Sequence, residues 1–236
     1  TLLFGSHLDS SWHCPGFLAG GAAVKLGYGV ASAVVIVIVS LLRVLARDVP
    51  STGYKVYEIR PGTGSAPTDG AAVIGPGNTT MENTRIKIGL DADGAIASLI
   101  AKSQADTELA ATIDGLQLND LAANKADGDP IVVENAGPVS VTLKCVSGAG
   151  LAHTTRITLV RDLDRVEISN EITQNFADVR HWSFGLNLDT PDVHTEEVGA
   201  IFRVKKKSDG GHYADTHARY DYATLNHFTD ITDGTN

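Results

Sequence analysis

Cysteine is scarce in this sequence: Cys14 and Cys145 are the only two, far apart and without C-x-x-C spacing. That excludes a disulfide framework and a zinc knuckle, and it suits a reducing compartment, so a cytoplasmic location is expected. Positive charge is also in short supply. With 19 Lys and Arg against 28 Asp and Glu, only "RVKKK" at 203–207 offers a basic cluster. The run reads as the solvated edge of a strand, and no nucleic-acid partner is expected. No G-x-G-x-x-G or G-x-x-x-x-G-K-S loop is present to cradle a phosphate, and no G-x-S-x-G elbow to present a serine nucleophile. Nothing alternates strand with helix as a Rossmann or TIM architecture requires.

What is present is enough apolar material for a core: 43% of the 236 residues are hydrophobic and 20% charged. The longest charge-free run is "LGYGVASAVVIVIVSLL" at 26–42. A membrane helix needs ~20 apolar residues, whereas this run is interrupted by Gly27 and Gly29, so a membrane segment is not favoured. Its Val and Ile content favours a strand buried on both faces or a helix docked in a core. The first residue is Thr1 and not Met, which reads as the remainder of something longer.

Beyond position 50 the pattern changes. "RPGTGSAPTDGAAVIGPGN" (60–78) is dense in Gly and Pro and reads as a long loop. Short β-type runs follow at 84–100, 137–147, 153–162, 164–173, 180–189 and 196–207. Arg85-Ile86-Lys87-Ile88 and Arg165-Val166-Glu167-Ile168 alternate polar and apolar residues, as a sheet with one wet face does. "DADG" (91–94) and "RDLD" (161–164) are natural hairpin turns, so antiparallel sheets stacked as a sandwich are expected. "QADTELAATIDGL" (104–116) is the one stretch expected to form a helical turn or two.

Several segments in order resemble the β-rich C-terminal half of glycoside hydrolase family 38, the retaining α-mannosidases. They are "RVLARDVPSTGYKVYEIRPG" (43–62), "MENTRIKIGLDADGAIASLIAKSQADTEL" (81–109), "GPVSVTLKCVSGAGLAHTTRITLVRDLDRVEISNEI" (137–172) and "LNHFTDITDG" (225–234). The motifs that carry the likeness are D-V-P-x-x-G-Y, an E-N hairpin running on to G-x-I-x-S-L, and a strand ending I-x-N-E. The resemblance implies an antiparallel β-supersandwich like that of galactose mutarotase over 43–236, preceded by a segment of 1–42. It implies that Glu82 and Asn83 start a hairpin and are structural. It also implies that the family's sandwich continues beyond "TDITDG", so a truncated domain with an unpaired sheet edge is expected, and a homo-oligomer that covers it.

The opening "SHLDSSW" (6–12) is similar to the family's first zinc motif, H-x-D followed by a tryptophan. In an extended strand His7 and Asp9 point to one side, where an imidazole and a carboxylate can share an ion, so zinc is the cofactor implied. The family's nucleophilic aspartate and its later histidine segment have no counterpart here. A retaining mechanism needs two carboxylates ~5–5.5 Å apart, and no such pair is identified. The catalytic residues are therefore left unassigned.

The richest remaining collection of polar groups is "DGGHYADTHARYDYATLNHFTD" (209–230). His212, Asp215 and His217 converge on a metal there if the loop folds back; otherwise the stretch is a polar surface loop. Trp12 and Tyr213 are the aromatic candidates for stacking on a sugar, and Trp182 reads as core packing. Three functions follow: an α-mannosidase-like glycoside hydrolase fragment; a non-catalytic carbohydrate-binding or scaffolding sandwich; and a hydrolase of another bond, such as an ester, using His, Asp and Ser in loops. The last draws on Ser6, Ser10 and Ser11 beside His7 and His13, with His181 or His194 as a distant base.

Overall fold

The structure is a computed structural model whose described residues are 2–5 (backbone only), 44–58, 67–121, 130–148, 150–219 and 226–233. Strand is the main regular structure of these residues. In chain order the strands are β1 (Leu2–Gly5), β2 (Val73–Ile74), β3 (Thr80–Glu82), β4 (Ile86–Leu90), β5 (Ile96–Ala101), β6 (Thr107–Glu108), β7 (Asp120–Leu121) and β8 (Val132–Ala136). They continue with β9 (Ser140–Ser147), β10 (His153–Val160), β11 (Val166–Ile172), β12 (Trp182–Ser183), β13 (Asp192–Glu197), β14 (Ala200–Arg203) and β15 (Phe228–Thr232). Every strand pair is antiparallel. Among the described residues no helix is long and apolar enough to cross a membrane; the 26–42 run lies outside them.

The chain divides into two compact units, one of Arg43–Asp189 and one of Thr190–Asn236 with Thr1–Leu42. In the first, strands in the order β2-β3-β4-β5-β6 form one sheet and β11-β10-β9-β8 another, with β12-β7 as a short third. The alternation of 85–88 and 165–168 is realised in β4 and β11. In β4, Ile86, Ile88 and Leu90 are buried while Lys87 is exposed. On β9 and β10, Val141, Leu143, Cys145, Ile157 and Leu159 are buried; Val141 opposes Leu159, Leu143 opposes Ile157 and Cys145 opposes the buried Thr155, so a single inward face spans both strands. The turn at 91–95 meets this face, because a Cβ on Gly94 would lie 2.9 Å from that of Cys145. Burial raises the Cys145 thiol to about 11, with the nearby Asp93 charge adding to the shift, so it is held as an unreactive thiol.

The E-N hairpin locks the two sheets together. Asn83 is buried; its Nδ2 donates to the carbonyls of Val160 (2.8 Å) and Leu163 (2.9 Å) at the β10–β11 turn. Its Oδ1 accepts from the N–H groups of Arg85 (2.8 Å) and Ile86 (2.7 Å). Lys102 Nζ binds the Glu82 carboxylate at 2.5 Å and the Asn83 carbonyl at 2.9 Å. Glu82 and Asn83 are thus structural groups. The D-V-P-x-x-G-Y segment makes a turn in which Gly53 N–H donates to the Pro50 carbonyl at 3.1 Å, and Arg47 reaches Asp162 at 2.6 Å.

The helical turn expected over 104–116 does not form. Lys102–Gln104 is a single 3-10 turn, after which Ala105 and Asp106 take left-handed φ values of 54° and 59°, incompatible with helix propagation. Glu108 then accepts from Leu99 N–H at 2.7 Å and from the Ser98 hydroxyl at 2.5 Å, tying 107–108 to β5 as a strand. The 60–78 stretch contains the short strand β2 within what reads as a loop. The 180–189 run contributes only the two residues of β12, and 196–207 folds back at Val198-Gly199 into the β13–β14 hairpin.

In the second unit the sheet order is β1-β15-β13-β14. The basic run 203–207 begins at the end of β14 and leaves the sheet.

Candidate functional site

The residues of 192–215 assemble around the β13–β14 hairpin. Asp192, at the start of β13, accepts from Arg203 Nε at 2.8 Å and lies 3.1 Å from Lys205 Nζ. The Arg203 hydrogen bond, with Lys205 behind it, holds the Asp192 carboxyl down to about 2 from an ordinary 3.8. A depressed carboxyl stabilises the folded state above its unfolded value and loses that contribution as it protonates in the fold. The hairpin is therefore expected to keep this support above about pH 4 and to lose it between about pH 4 and pH 2. Asp192→Asn should cost about 1 kcal/mol at pH 7, the scale of a partly exposed pair, and clearly less at pH 2, where the folded carboxyl is only partly ionised; thermal melts at both pH values check this.

Beyond Arg203 the chain turns back on itself. Lys207 N–H donates to the Tyr213 carbonyl (2.8 Å), Tyr213 N–H to the Lys205 carbonyl (3.0 Å) and Gly211 N–H to the Lys206 carbonyl (2.8 Å). Glycine is required at 211 because a Cβ there would sit 2.0 Å from the Lys205 carbonyl oxygen. The return gathers three rings: Phe202 meets His212 edge-on at 6.1 Å and Tyr213 at 6.3 Å. The Tyr213 hydroxyl donates to Glu197 Oε1 at 3.0 Å; burial and then that carboxylate raise its pKa.

Of the expected metal ligands His212, Asp215 and His217, the first two accept from backbone N–H groups. His212 Nδ1 accepts from Arg203 N–H at 2.7 Å. Asp215 Oδ1 accepts from Ser208 N–H at 2.8 Å, a bond that holds its carboxyl below the usual range. His217 sits exposed on a left-handed turn with φ 63°. Among the described residues no group of three or more His, Cys, Asp and Glu side chains is suited to hold a metal ion. His7, Asp9 and Trp12 lie outside the described residues, as do Ser6, Ser10, Ser11 and His13. His194 lies on β13 opposite Arg203 and Asp230, and His181 is exposed just before β12. Trp182 is half-buried and pairs with Leu121.

A second polar group, in the first unit, is not evident from the sequence. Asp93, Asn119, Asp120 and His153 line a small depression with Ala95 and Leu121. Behind it Asn119 and Asn170 exchange side-chain hydrogen bonds at 3.3 and 2.7 Å, and the Thr155 hydroxyl donates to Asn170 Oδ1 at 2.8 Å. His153 Nδ1 is 2.8 Å from the Leu151 carbonyl. The signal for this group is alternation: His153 and Thr155 fall on the same inward face of β10 as Ile157 and Leu159, where apolar residues are the rule.

No protein-family model, curated protein or solved structure matches this chain.

Proposed function

We propose that the chain is the sandwich portion of an α-mannosidase-like glycoside hydrolase, and that its described units serve carbohydrate recognition and scaffolding without carrying the bond-breaking carboxylates. One observation carries this reading. In the 192–215 segment three rings, Phe202, His212 and Tyr213, are grouped, and the carboxyls of Asp192 and Asp215 in the same segment are held ionised. A glycosidase acid must stay protonated near neutral pH, which requires a raised carboxyl pKa. Asp192 and Asp215 are shifted the opposite way by Arg203 and by the Ser208 N–H. Aromatic faces flanked by fixed polar groups suit the binding of a sugar ring, whose apolar face packs on a ring while its hydroxyls meet charged partners. Tyr213 is the proposed contact. The ordered likeness of 43–234 to the mannosidase sandwich supplies the substrate class.

The test is hydrolysis of a chromogenic α-mannoside by the purified chain, with its zinc content measured in the same preparation. The reading expects no turnover above background, with or without added zinc. Turnover that is lost on chelation and on His7→Ala would overturn it, and would assign zinc and the chemistry to His7 and Asp9.

A further inference from the structure

We propose that Glu197 is the hydroxyl-binding carboxylate of the Tyr213 site, one of its oxygens accepting hydrogen bonds from the hydroxyl groups of a neutral sugar. The inference rests on the reading of this segment as a sugar-binding site and names the group that selects the ligand. Register fixes where Glu197 stands. Thr195 lies directly opposite Phe202 across the β13–β14 pair, so the two share a face. Glu197, two residues on, falls on the same face as Thr195. Tyr213 reaches it from the returning chain, its hydroxyl donating to Glu197 Oε1 at 3.0 Å and its ring centred 6.3 Å from that of Phe202.

The tyrosine orients the carboxylate by one oxygen, and the other, Oε2, meets no protein donor or cation among the described residues. The cations of the hairpin are engaged elsewhere. Arg203, opposite His194, belongs to the other face and is bonded to Asp192, as is Lys205. Glu196, on that other face too, holds His227 at 2.8 Å. A half-buried carboxylate with one oxygen fixed and the other unpaired accepts from hydroxyl donors, in bonds strengthened by its charge. The Phe202 and Tyr213 rings supply the apolar contact that a sugar ring needs on its other side. Room for the ligand exists at the hairpin tip: Val198 is 90% exposed, and a Cβ on Gly199 would meet nothing within 4 Å.

Calorimetric titration of methyl α-mannoside into the intact chain and its Glu197→Gln and Glu196→Gln variants tests this, with amide hydrogen exchange over 203–213 followed in each. Glu197→Gln keeps an acceptor for the Tyr213 hydroxyl but loses the charge and the second acceptor. Its affinity should fall at least about tenfold, the lower end for one hydrogen bond to a charged group, with protection over 203–213 as in the wild type. Glu196→Gln, altered on the opposite face, should bind as the wild type does. Wild-type affinity in Glu197→Gln, beside binding that Tyr213→Ala abolishes, would overturn the role of Glu197 and leave the Tyr213 reading standing. A fall in affinity accompanied by lost protection over 203–213 would also overturn it, since Glu197 would then act only through the fold. Absence of binding by the wild-type chain would overturn both.

Discussion

Replacing Asn83 with alanine should destabilise the Arg43–Asp189 unit by about 3 kcal/mol or more, the range for losing a buried group with several partners. The truncation removes four hydrogen bonds at once. The carbonyls of Val160 and Leu163 lose their donor, and the N–H groups of Arg85 and Ile86 lose their acceptor. At 5% exposure little water can replace the amide, so each abandoned group bears a desolvation penalty. Asn83→Asp separates the two halves of the effect. It keeps the acceptors for Arg85 and Ile86 but turns a carboxylate toward two carbonyl oxygens, so it should be no more stable than the alanine variant. Urea unfolding with an unchanged slope measures both. A loss below about 1 kcal/mol would mean that the E-N hairpin is not what joins the β3–β4 turn to the β10–β11 turn.

Gly211→Ala should have a comparable effect confined to the other unit, about 3 kcal/mol for overpacking against backbone. The new methyl would lie 2.0 Å from the Lys205 carbonyl oxygen and 2.3 Å from its carbon. No rotamer change relieves a clash with backbone, so the return at 205–213 must move. The bonds from Tyr213 to Lys205 and from Gly211 to Lys206 should break together, seen as loss of amide protection over 203–213. Protection of β9 and β10 should be unchanged. Gly199 provides the contrast, since a Cβ there would meet nothing within 4 Å and its φ of 79° is the only obstacle to alanine.

Alternation and turn chemistry, which are local, made much of the sheet legible in the sequence. Arg85-Ile86-Lys87-Ile88 became β4 with its isoleucines inward, and "DADG" became the turn to β5, with Gly94 at φ 86°. "RDLD" became the turn to β11, with Asp162 at φ 59°. Residues 104–116 read as helical from their Ala, Glu and Leu content, whereas their structure is set elsewhere, by the bonding of Glu108 to Ser98 and Leu99. The polar groups were harder still. Asn83 finds its partners 77 and 80 residues away, and Asn119 finds Asn170 51 residues away. His212 looks like a metal ligand by composition, and only the fold-back at Gly211 shows that it completes a sheet edge. Tyr213 is the sequence candidate that the fold places among other rings.

The most direct measurement of the central claim is calorimetric titration of methyl α-mannoside into the intact chain and into its Tyr213→Phe and Tyr213→Ala variants. The account predicts weak, saturable binding that survives loss of the hydroxyl in Tyr213→Phe and disappears with the ring in Tyr213→Ala. Absence of binding by the wild-type chain, or equal binding by Tyr213→Ala, would contradict it.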